Sequence, residues 1–390
     1  MIEKQSFALN QPTRIRFGLG AVGELAGMVR ELGGSRAFLV VDPGLRAAGL
    51  LTRITESLEQ GGIPFDVHDR IDPEPGLQLA DTGAKLAKKA KADCVIGIGG
   101  GSAMDVAKAI SILLTNGGLA EEYVGLGKIK KPGVPKIMVP TTAGTGAEVT
   151  FTAVFINEKT GAKGGMNGDP LYPEAAILDP ALTCSMPPQV TAATGMDAFI
   201  HALEAYVSVQ ANTISEMYSL EAIDLISRNI GLAYANGNNL EARSAMLMGS
   251  LLAGKALAAA GVGLVHAMSY PMGGMFGIPH GLANAVLLPY VMAYNVIGCP
   301  EKLAVVAEVM GENTEGMTTK EAAQTAVGAI YELNTDLGIP TSLASLDIPV
   351  DKIPEMADIA LTVSRPVENN PRRPTRDDVI RIYEEAHEGW

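Results

Sequence analysis

Cysteine is scarce in this chain. Only three cysteines occur among 390 residues, and no two of them form a CxxC pair: Cys94, Cys184 and Cys299. An odd number at wide spacing argues against a disulfide framework and against a zinc site built from cysteine. The beginning of the sequence, MIEKQSFALNQPTRIRFG, also lacks the apolar segment of a signal peptide. We therefore expect a cytoplasmic protein.

Long apolar runs and net positive charge are also missing. The apolar stretch at residues 251–265 is broken by Lys255 and several glycines, so no run reaches the roughly 18 residues that a membrane span requires. The formal net charge is -13. A strongly acidic chain repels nucleic-acid phosphates and anionic lipid surfaces. We expect no nucleic-acid partner and no membrane partner.

The composition is typical of a folded globular protein, with 47% apolar and 19% charged residues. Because 390 residues are too many for one hydrophobic core, we expect two domains. In the first half, short apolar runs alternate with segments of helical periodicity. This α/β alternation predicts a parallel sheet with helices on both faces. The strands are expected at 37–41, 64–67, 94–98 and 136–139, and the helices at 45–59, 77–90 and 103–114.

The pattern changes beyond about residue 188. Long segments rich in Ala, Leu and Met follow with helical period, which predicts an all-helical second half. We place the boundary at Pro187-Pro188, giving an N-terminal domain of residues 1–187 and a C-terminal domain of residues 188–390. Thr375 with Asp378 three residues later predicts a capping box at the start of the last helix.

A glycine-rich turn follows the third predicted strand. It reads Gly99-Gly100-Gly101-Ser102 and precedes a predicted helix. Glycines let phosphate oxygens approach the backbone, and the helix N-terminus supplies free N–H groups. The alternative is a tight strand-to-helix turn with no ligand, since such a motif counts only in its βαβ context.

Two other predicted strands end in polar residues. Asp42 ends the first strand, where a carboxylate can accept hydrogen bonds from an adenosine ribose and favours NAD over NADP. As the residue before Pro43, it also fits an ordinary turn. The segment TTAGTG follows the fourth strand, where hydroxyls and glycines suit a pyrophosphate or a nicotinamide, although alone it is more often a loop.

Histidine is also scarce, and three of the five histidines fall in the predicted helical half, between residues 201 and 280: His201, His266 and His280. Asp197 and His201 are four residues apart in an apolar helical segment, so they project from one face. An unpaired carboxylate there would be costly to bury, and a divalent cation would remove that cost. His266 opens a second apolar helix, and His280 enters a third.

Three imidazoles and one carboxylate make a reasonable site for Zn²⁺ or Fe²⁺. The alternative is that each histidine is a hydrogen-bonded core or cap residue, and that Asp197 interacts with a helix dipole. His68 and His387 have charged neighbours, so we expect them at the surface.

Several long motifs together resemble one family over almost the whole chain. They are GGGSAMDVAK from Gly99, PTTAGTGAEVT from Pro140, AATGMDAFIHALEAYVS from Ala192, GLVHAMSYPMGG from Gly263 and IPHGLANAVLLPYVMAYN from Ile278. The sequence resembles the iron-containing, or group III, alcohol dehydrogenases. The resemblance implies a Rossmann-like, doubly wound N-terminal domain and a C-terminal helical metal-binding domain. It also implies NAD, a divalent metal (Fe²⁺ ahead of Zn²⁺), a small alcohol or aldehyde substrate, and a homodimer or higher homo-oligomer.

Motif positions imply roles for individual residues. The implied metal ligands are Asp197, His201, His266 and His280. The implied cofactor-binding residues are Asp42, Gly99, Gly100, Gly101, Ser102, Asp105, Thr141, Thr142, Thr145 and Lys163.

The chain departs from the family at several of its motif positions. Many members have a second histidine four residues after the position of His266, where this chain has Tyr270. We take Tyr270 as a candidate catalytic residue that hydrogen-bonds the substrate; the alternative is that it only packs against Pro271 and Met272. The family's PNPT and GTGSE read DPEPG and GTGAE here.

Two other functions remain open. A lyase of the dehydroquinate synthase type shares the layout, the NAD and the metal, but acts on a phosphorylated substrate and should carry several Lys and Arg near the metal. Residues 264–295 contain neither, which favours a small, uncharged or weakly charged substrate. A non-catalytic, metal-binding oligomer is the second alternative.

Overall fold

In the computed structural model, which describes residues 6–72, 74–156 and 163–389, the chain divides into two compact units. One unit is Gln11–Met186. The other begins at Pro187 and includes the described residues before Gln11. That the two units are independent domains with separate roles stays a prediction.

The first unit contains two sheets. Its described strands are β1 (Arg14–Phe17), β2 (Ala37–Val41), β3 (Phe65–His68), β4 (Cys94–Gly99), β5 (Gly125–Leu126), β6 (Lys136–Pro140), β7 (Thr152–Ile156), β8 (Lys163–Asn167) and β9 (Ala175–Leu178). Six of them form a parallel sheet in the order β1-β9-β6-β4-β2-β3. The other three form a small mixed sheet in the order β5-β8-β7.

Helices cover both faces of the six-stranded sheet. The helices of this unit are α1 (Leu25–Glu31), α2 (Pro43–Ala47), α3 (Leu50–Gln60), α4 (Leu77–Ala90) and α5 (Gly101–Asn116). In β2, Phe38 and Val40 join the apolar cluster that includes α4 and α5, whereas Leu39 and Val41 join the cluster that includes α1 and α3. The doubly wound parallel sheet predicted from the sequence is therefore confirmed.

One predicted helix differs from the structure. The segment expected as a single helix over 45–59 consists of α2 and α3, separated at Ala48 and Gly49. Gly49 has a φ of 71°, a left-handed conformation that ends one helix and begins the next.

Helices are the only regular secondary structure among the described residues of the second unit, as predicted. Its helices are α6 (Pro188–Val207), α7 (Thr213–Ala235), α8 (Leu240–Ala260), α9 (Leu264–Phe276), α10 (His280–Asn295), α11 (Pro300–Val309), α12 (Thr319–Asp336), α13 (Ile353–Leu361), α14 (Ser364–Asn369) and α15 (Arg376–Glu388). The predicted capping box at Thr375 and Asp378 begins α15. Among the described helices, none alone is long and apolar enough to cross a membrane; the pair α8 and α9 passes by length and composition only when joined across a 104° bend.

Candidate functional site

The four predicted metal ligands come together in the helical unit. Asp197 and His201 lie one turn apart on α6, His266 lies in the first turn of α9, and His280 begins α10. One ligand atom from each of Asp197, His201 and His266 lies within 4.8 Å of the others. His280 Nε2 is 3.9 Å from Asp197 Oδ1. The first three side chains are buried, and His280 keeps 30% of its side chain exposed.

The contacts of Asn284 show which atoms of the cluster face one another. Its Nδ2 donates to Asp197 Oδ1 at 2.9 Å and lies 3.2 Å from Nε2 of both His266 and His280. An amide group has only two hydrogens for these three acceptors. One carboxylate oxygen and two ring nitrogens, all atom types that bind divalent cations in proteins, thus surround a single point. Sequence reasoning did not find Asn284; its only signal is its place one helical turn after His280.

A second carboxylate, that of Glu204, contacts one histidine of the cluster. Glu204, also on α6, is buried, and its Oε2 lies 2.5 Å from His266 Nδ1. Its Oε1 accepts a hydrogen bond of 2.7 Å from the backbone N–H of Val265. Sequence reasoning missed Glu204 as well. Its signal is a spacing of two helical turns from Asp197, which places both on one face of α6.

The electrostatics favour an ionised Asp197. Burial raises the pKa of this carboxyl, but the neighbouring imidazoles of His201, His280 and His266 outweigh burial and lower the pKa overall. Burial lowers the pKa of His266, and the charge and hydrogen bond of Glu204 outweigh it, so that pKa is raised. Asp197 thus keeps its negative charge inside a buried cluster of three histidines.

Tyr270 lies beside the cluster. It is one turn after His266 on α9, and its ring stacks on His280 with centroids 6.0 Å apart and planes inclined by 16°. Burial, with smaller contributions from the charges of Glu204 and Asp197, raises the pKa of Tyr270 to about 12. Its position fits the predicted catalytic role, which stays a prediction.

Most of the predicted cofactor residues lie in the other unit, at the carboxyl ends of β2, β4 and β6. Gly99 has a φ of 145°, and a β-carbon there would lie 2.7 Å from Asp42 Cβ. A β-carbon at Gly101 would lie 2.8 Å from Thr145 Cγ2. The Thr141 N–H donates to the Gly99 carbonyl at 3.0 Å. The glycines are thus required for the close approach of three segments.

The first turn of α5 has no side-chain cap among the described residues. The helix follows Gly100, and Ser102 is its second residue. The free N–H groups of such a turn, together with the helix dipole, attract an anion such as a pyrophosphate. Both Thr142 and Ser102 are partly exposed at this edge.

Two of the predicted cofactor residues, Asp42 and Asp105, make contacts within the fold, and the side chain of a third is not described. Asp42 Oδ1 accepts a hydrogen bond of 2.8 Å from Gly44 N and so caps α2. Asp105 is buried, and its Oδ2 accepts a hydrogen bond of 2.9 Å from Val154 N, which ties α5 to β7. The side chain of Lys163 lies outside the described residues. Their contacts with a cofactor stay predictions.

The expectation that His68 lies at the surface is wrong. The side chain is buried at the end of β3 and stacks on Phe38, with ring centroids 6.1 Å apart. Burial lowers the pKa of His68, so the neutral ring packs as part of the core. His387 is half-buried, with Nε2 placed 3.0 Å from the Ile348 carbonyl.

A glycine turn at a helix N-terminus on a doubly wound sheet is typical of dinucleotide-binding proteins. The Asp–His cluster is a candidate metal site. The two features together are those of a metal-linked oxidoreductase. Comparison with known proteins specifies the family. Residues 12–180 match the iron-containing alcohol dehydrogenases, and residues 191–387 match the C-terminal part of the same family. The chain belongs to the iron-containing alcohol dehydrogenase family, and it is an oxidoreductase of the alcohol and aldehyde type.

Individual relatives agree with this assignment. The chain is 41% identical to a 1,3-propanediol dehydrogenase of Citrobacter freundii, over 95% of this chain and 96% of that protein. It is 39% identical to a sulfoacetaldehyde reductase of Bilophila wadsworthia, again over 95% and 96%. A crystal structure of a 1,3-propanediol oxidoreductase superposes with a TM-score of 0.96 at 39% identity, covering 98% of this chain and 100% of that one. Membership of this family implies NAD and a metal.

Proposed function

We propose that the protein transfers a hydride between NAD(H) and a small, uncharged alcohol–aldehyde or alcohol–ketone pair, at a divalent metal held by Asp197, His201, His266 and His280. The observation that carries this proposal is the convergence of Asp197 Oδ1, His266 Nε2 and His280 Nε2 around the single point marked by Asn284 Nδ2. Nitrogen and carboxylate donors in this number suit Fe²⁺ and Zn²⁺ alike. Membership of the iron-containing alcohol dehydrogenase family favours Fe²⁺ over Zn²⁺.

When bound, the metal supplies Lewis-acid polarisation of the substrate oxygen. The residues of the chain hold and orient the reactants. The buried carboxylate of Asp197 would offset the charge of the cation. The imidazoles of His201, His266 and His280 would be the other ligands of the cation. Tyr270, stacked on His280, lines the substrate side of the cluster, where its hydroxyl donates a hydrogen bond to a polar group of the substrate.

The cofactor is assigned to the glycine turn and its neighbours. The N–H groups of the first turn of α5 receive the pyrophosphate, and the glycines let it approach the backbone. Asp42 receives the adenosine ribose, which selects NAD over NADP by charge and shape. The implied contacts of Ser102, Asp105, Thr141, Thr142, Thr145 and Lys163 belong to the same proposal.

The lack of Lys and Arg in the segment that carries His266 and His280 narrows the range of substrates. Residues 264–295, which supply His266, Tyr270 and His280, contain neither Lys nor Arg. A sulfonate or phosphate would find no partner on this segment, so a neutral diol, hydroxyaldehyde or simple alcohol fits better. For the same reason a dehydroquinate-synthase-like lyase is not favoured, and the family assignment agrees.

The test combines metal analysis with a substrate panel. The purified protein should contain one divalent metal ion per chain and reduce small neutral aldehydes with NADH faster than sulfonated or phosphorylated ones. H266A and H280A should lose the metal and most of the activity, because each removes one ligand. H387A, which changes a histidine outside the cluster, is the matched control and should keep both. Full activity after exhaustive chelation, with no metal detected, would reject the proposed site.

The assembly and the compartment are further parts of the proposal. We propose a homodimer or larger homo-oligomer, on the basis of family membership, and a cytoplasmic location, which agrees with three free cysteines. Light scattering that detects only monomer at micromolar concentration would reject the proposed homo-oligomer. A titration with NADH separates the enzyme from a non-catalytic metal-binding oligomer, which should not bind it.

A further inference from the structure

The two nitrogens of the His266 ring face opposite kinds of group. Nδ1 faces Oε2 of Glu204, and a carboxylate oxygen only accepts hydrogen bonds. Nε2 faces the amide nitrogen of Asn284, which only donates. A neutral imidazole carries its proton on one nitrogen and a lone pair on the other. The surroundings therefore place the proton on Nδ1 and the lone pair on Nε2, the nitrogen that faces Asp197 and His280.

Glu204 is itself fixed in place by its surroundings. It is 1% exposed, and its second oxygen accepts the hydrogen bond from Val265 N, the residue that precedes His266 on α9. A β-carbon at residue 263 would lie 3.0 Å from Glu204 Oε1, so the carboxylate fits against the α-carbon of a glycine. One carboxylate thus holds both the beginning of α9 and the ring that projects from it.

We propose that Glu204 is a positioning residue for the metal site: it fixes the Nδ1–H tautomer and the ring orientation of His266, so that Nε2 is the metal-binding nitrogen. This inference rests on the metal site proposed above. A carboxylate on the far nitrogen of a metal-binding imidazole also makes the ring a better donor, and losing such a partner weakens metal binding by about 10–100-fold.

Replacement by glutamine separates this role from simple packing. Gln has the shape of Glu but only one acceptor oxygen and an NH₂ group in place of the other. If the oxygen stays with Val265 N, the NH₂ group meets Nδ1 and forces the proton onto Nε2, which then has no lone pair for a metal. If the oxygen turns to Nδ1, the NH₂ group meets the N–H of Val265. Neither arrangement satisfies both contacts.

The experiment measures metal affinity directly. Zn²⁺ is titrated into the metal-free parent, E204Q and H266A in the presence of a competing chelator, while circular dichroism and thermal unfolding report on the fold. We expect E204Q to bind Zn²⁺ at least about tenfold more weakly than the parent. The matched control is E216Q, which changes a glutamate of the same unit that pairs with Lys302 and not with a histidine; it should bind Zn²⁺ like the parent.

The outcomes distinguish this inference from the proposed function. If the parent binds no Zn²⁺, or H266A binds it like the parent, the proposed metal site fails and Glu204 has no such role. If H266A loses binding but E204Q stays within tenfold of the parent, only the role of Glu204 is overturned. A Glu204 that merely caps α9 would lower the unfolding temperature of E204Q and leave its affinity for Zn²⁺ unchanged.

A second measurement tests the tautomer and the metal-binding nitrogen of His266 even if E204Q does not fold. In the zinc-loaded parent labelled with ¹⁵N-histidine, long-range proton–nitrogen correlations identify which ring nitrogen carries the proton. The His266 signals are assigned by their absence from an H266N sample. We expect a protonated Nδ1 and a metal-bound Nε2. A protonated Nε2, or a metal bound through Nδ1, would overturn the inference.

Discussion

Gly281 lies so close to Ala193 that a β-carbon at residue 281 would be 2.4 Å from the Ala193 carbonyl oxygen. The same β-carbon would be 3.4 Å from Asp197 Cβ. Gly281 follows His280 at the start of α10, whereas Ala193 and Asp197 lie on α6. The absence of a side chain at residue 281 therefore sets how near His280 comes to the ligands on α6.

We predict that G281A weakens metal binding. Because the nearest atoms belong to the backbone, α10 must move away from α6, which separates His280 from Asp197. Overpacking of this kind costs about 1–3 kcal/mol, and we expect a lower unfolding temperature and at least a tenfold loss of affinity for Zn²⁺. The measurements are thermal unfolding and the chelator competition used for E204Q.

The matched control is G231A. Gly231 is an exposed residue inside α7, and among the described residues no atom beyond its own turn of helix lies within 4 Å of the position of its β-carbon. Alanine has a better helix propensity than glycine, by up to about 1 kcal/mol, so G231A should equal or exceed the parent in stability and bind metal normally. Equal metal affinity in G281A and the parent would show that α10 is not held by this contact.

The parts of the fold that the sequence predicted are those with a strong local pattern. The strands β2, β4 and β6 are fully buried on both faces and appear as continuous apolar runs, and α4 has its predicted bounds. The hairpin of β7 and β8 was not predicted, because β8 reads KGGMN and glycine has little strand propensity. Contacts from elsewhere support it, including the hydrogen bond from Val154 N to Asp105.

In the candidate site, too, only the relationships that follow from a local pattern could be predicted. Asp197 and His201 could be paired from their four-residue spacing, which is a local property of a helix. The contact of Glu204 with His266 joins residues 62 apart in the chain and depends on how α6 and α9 pack, which no local spacing determines. His68 was misplaced for a related reason, because its charged neighbour Asp69 says nothing about the ring of Phe38 on the adjacent strand.

We predict that Asp42 determines the preference for NAD(H). D42G should raise the ratio of kcat/KM for NADPH to that for NADH by at least about tenfold, since it removes the charge that would repel a 2′-phosphate. Gly at this N-cap costs only a few tenths of a kcal/mol, so the fold should persist. D42N keeps an acceptor for Gly44 N and removes only the charge. If the parent already uses NADPH as efficiently as NADH, Asp42 does not face the ribose.

We predict that Glu148 makes the first unit less stable as the pH rises. This residue is 1% exposed, and its Oε1 has no hydrogen-bond partner among the described residues. Burial raises its pKa from 4.5 to about 7, with Lys108 opposing the shift. Below pH 4.5 both the folded and the unfolded chain are protonated here; between 4.5 and about 7 the unfolded chain loses its proton first, so folding weakens.

E148Q should remove this dependence. A tenfold change in proton affinity corresponds to about 1.4 kcal/mol, so near pH 8 the variant should be more stable by up to about 3 kcal/mol, with little difference near pH 5. Urea unfolding of both proteins at the two pH values measures this. The control is E59Q, an exposed glutamate on α3. Equal slopes of stability against pH in E148Q and the parent would mean that the buried carboxyl gains a partner in solution.

The last prediction concerns the hydroxyl of Tyr270. Y270F keeps the ring that stacks on His280 and removes only the oxygen, so the metal ligands should be undisturbed. A phenol has an ordinary pKa near 10 and is a weak base at neutral pH, so we expect it to bind a polar group of the substrate without carrying a proton in the chemical step. KM for diols and hydroxyaldehydes should rise several-fold, KM for simple alcohols should change little, and kcat should stay within about threefold of the parent. Steady-state kinetics on both substrate types, with metal content checked, make the distinction. A loss of kcat of about a hundredfold or more, the range of a general acid–base group, with unchanged KM and intact metal, would instead make Tyr270 a proton relay.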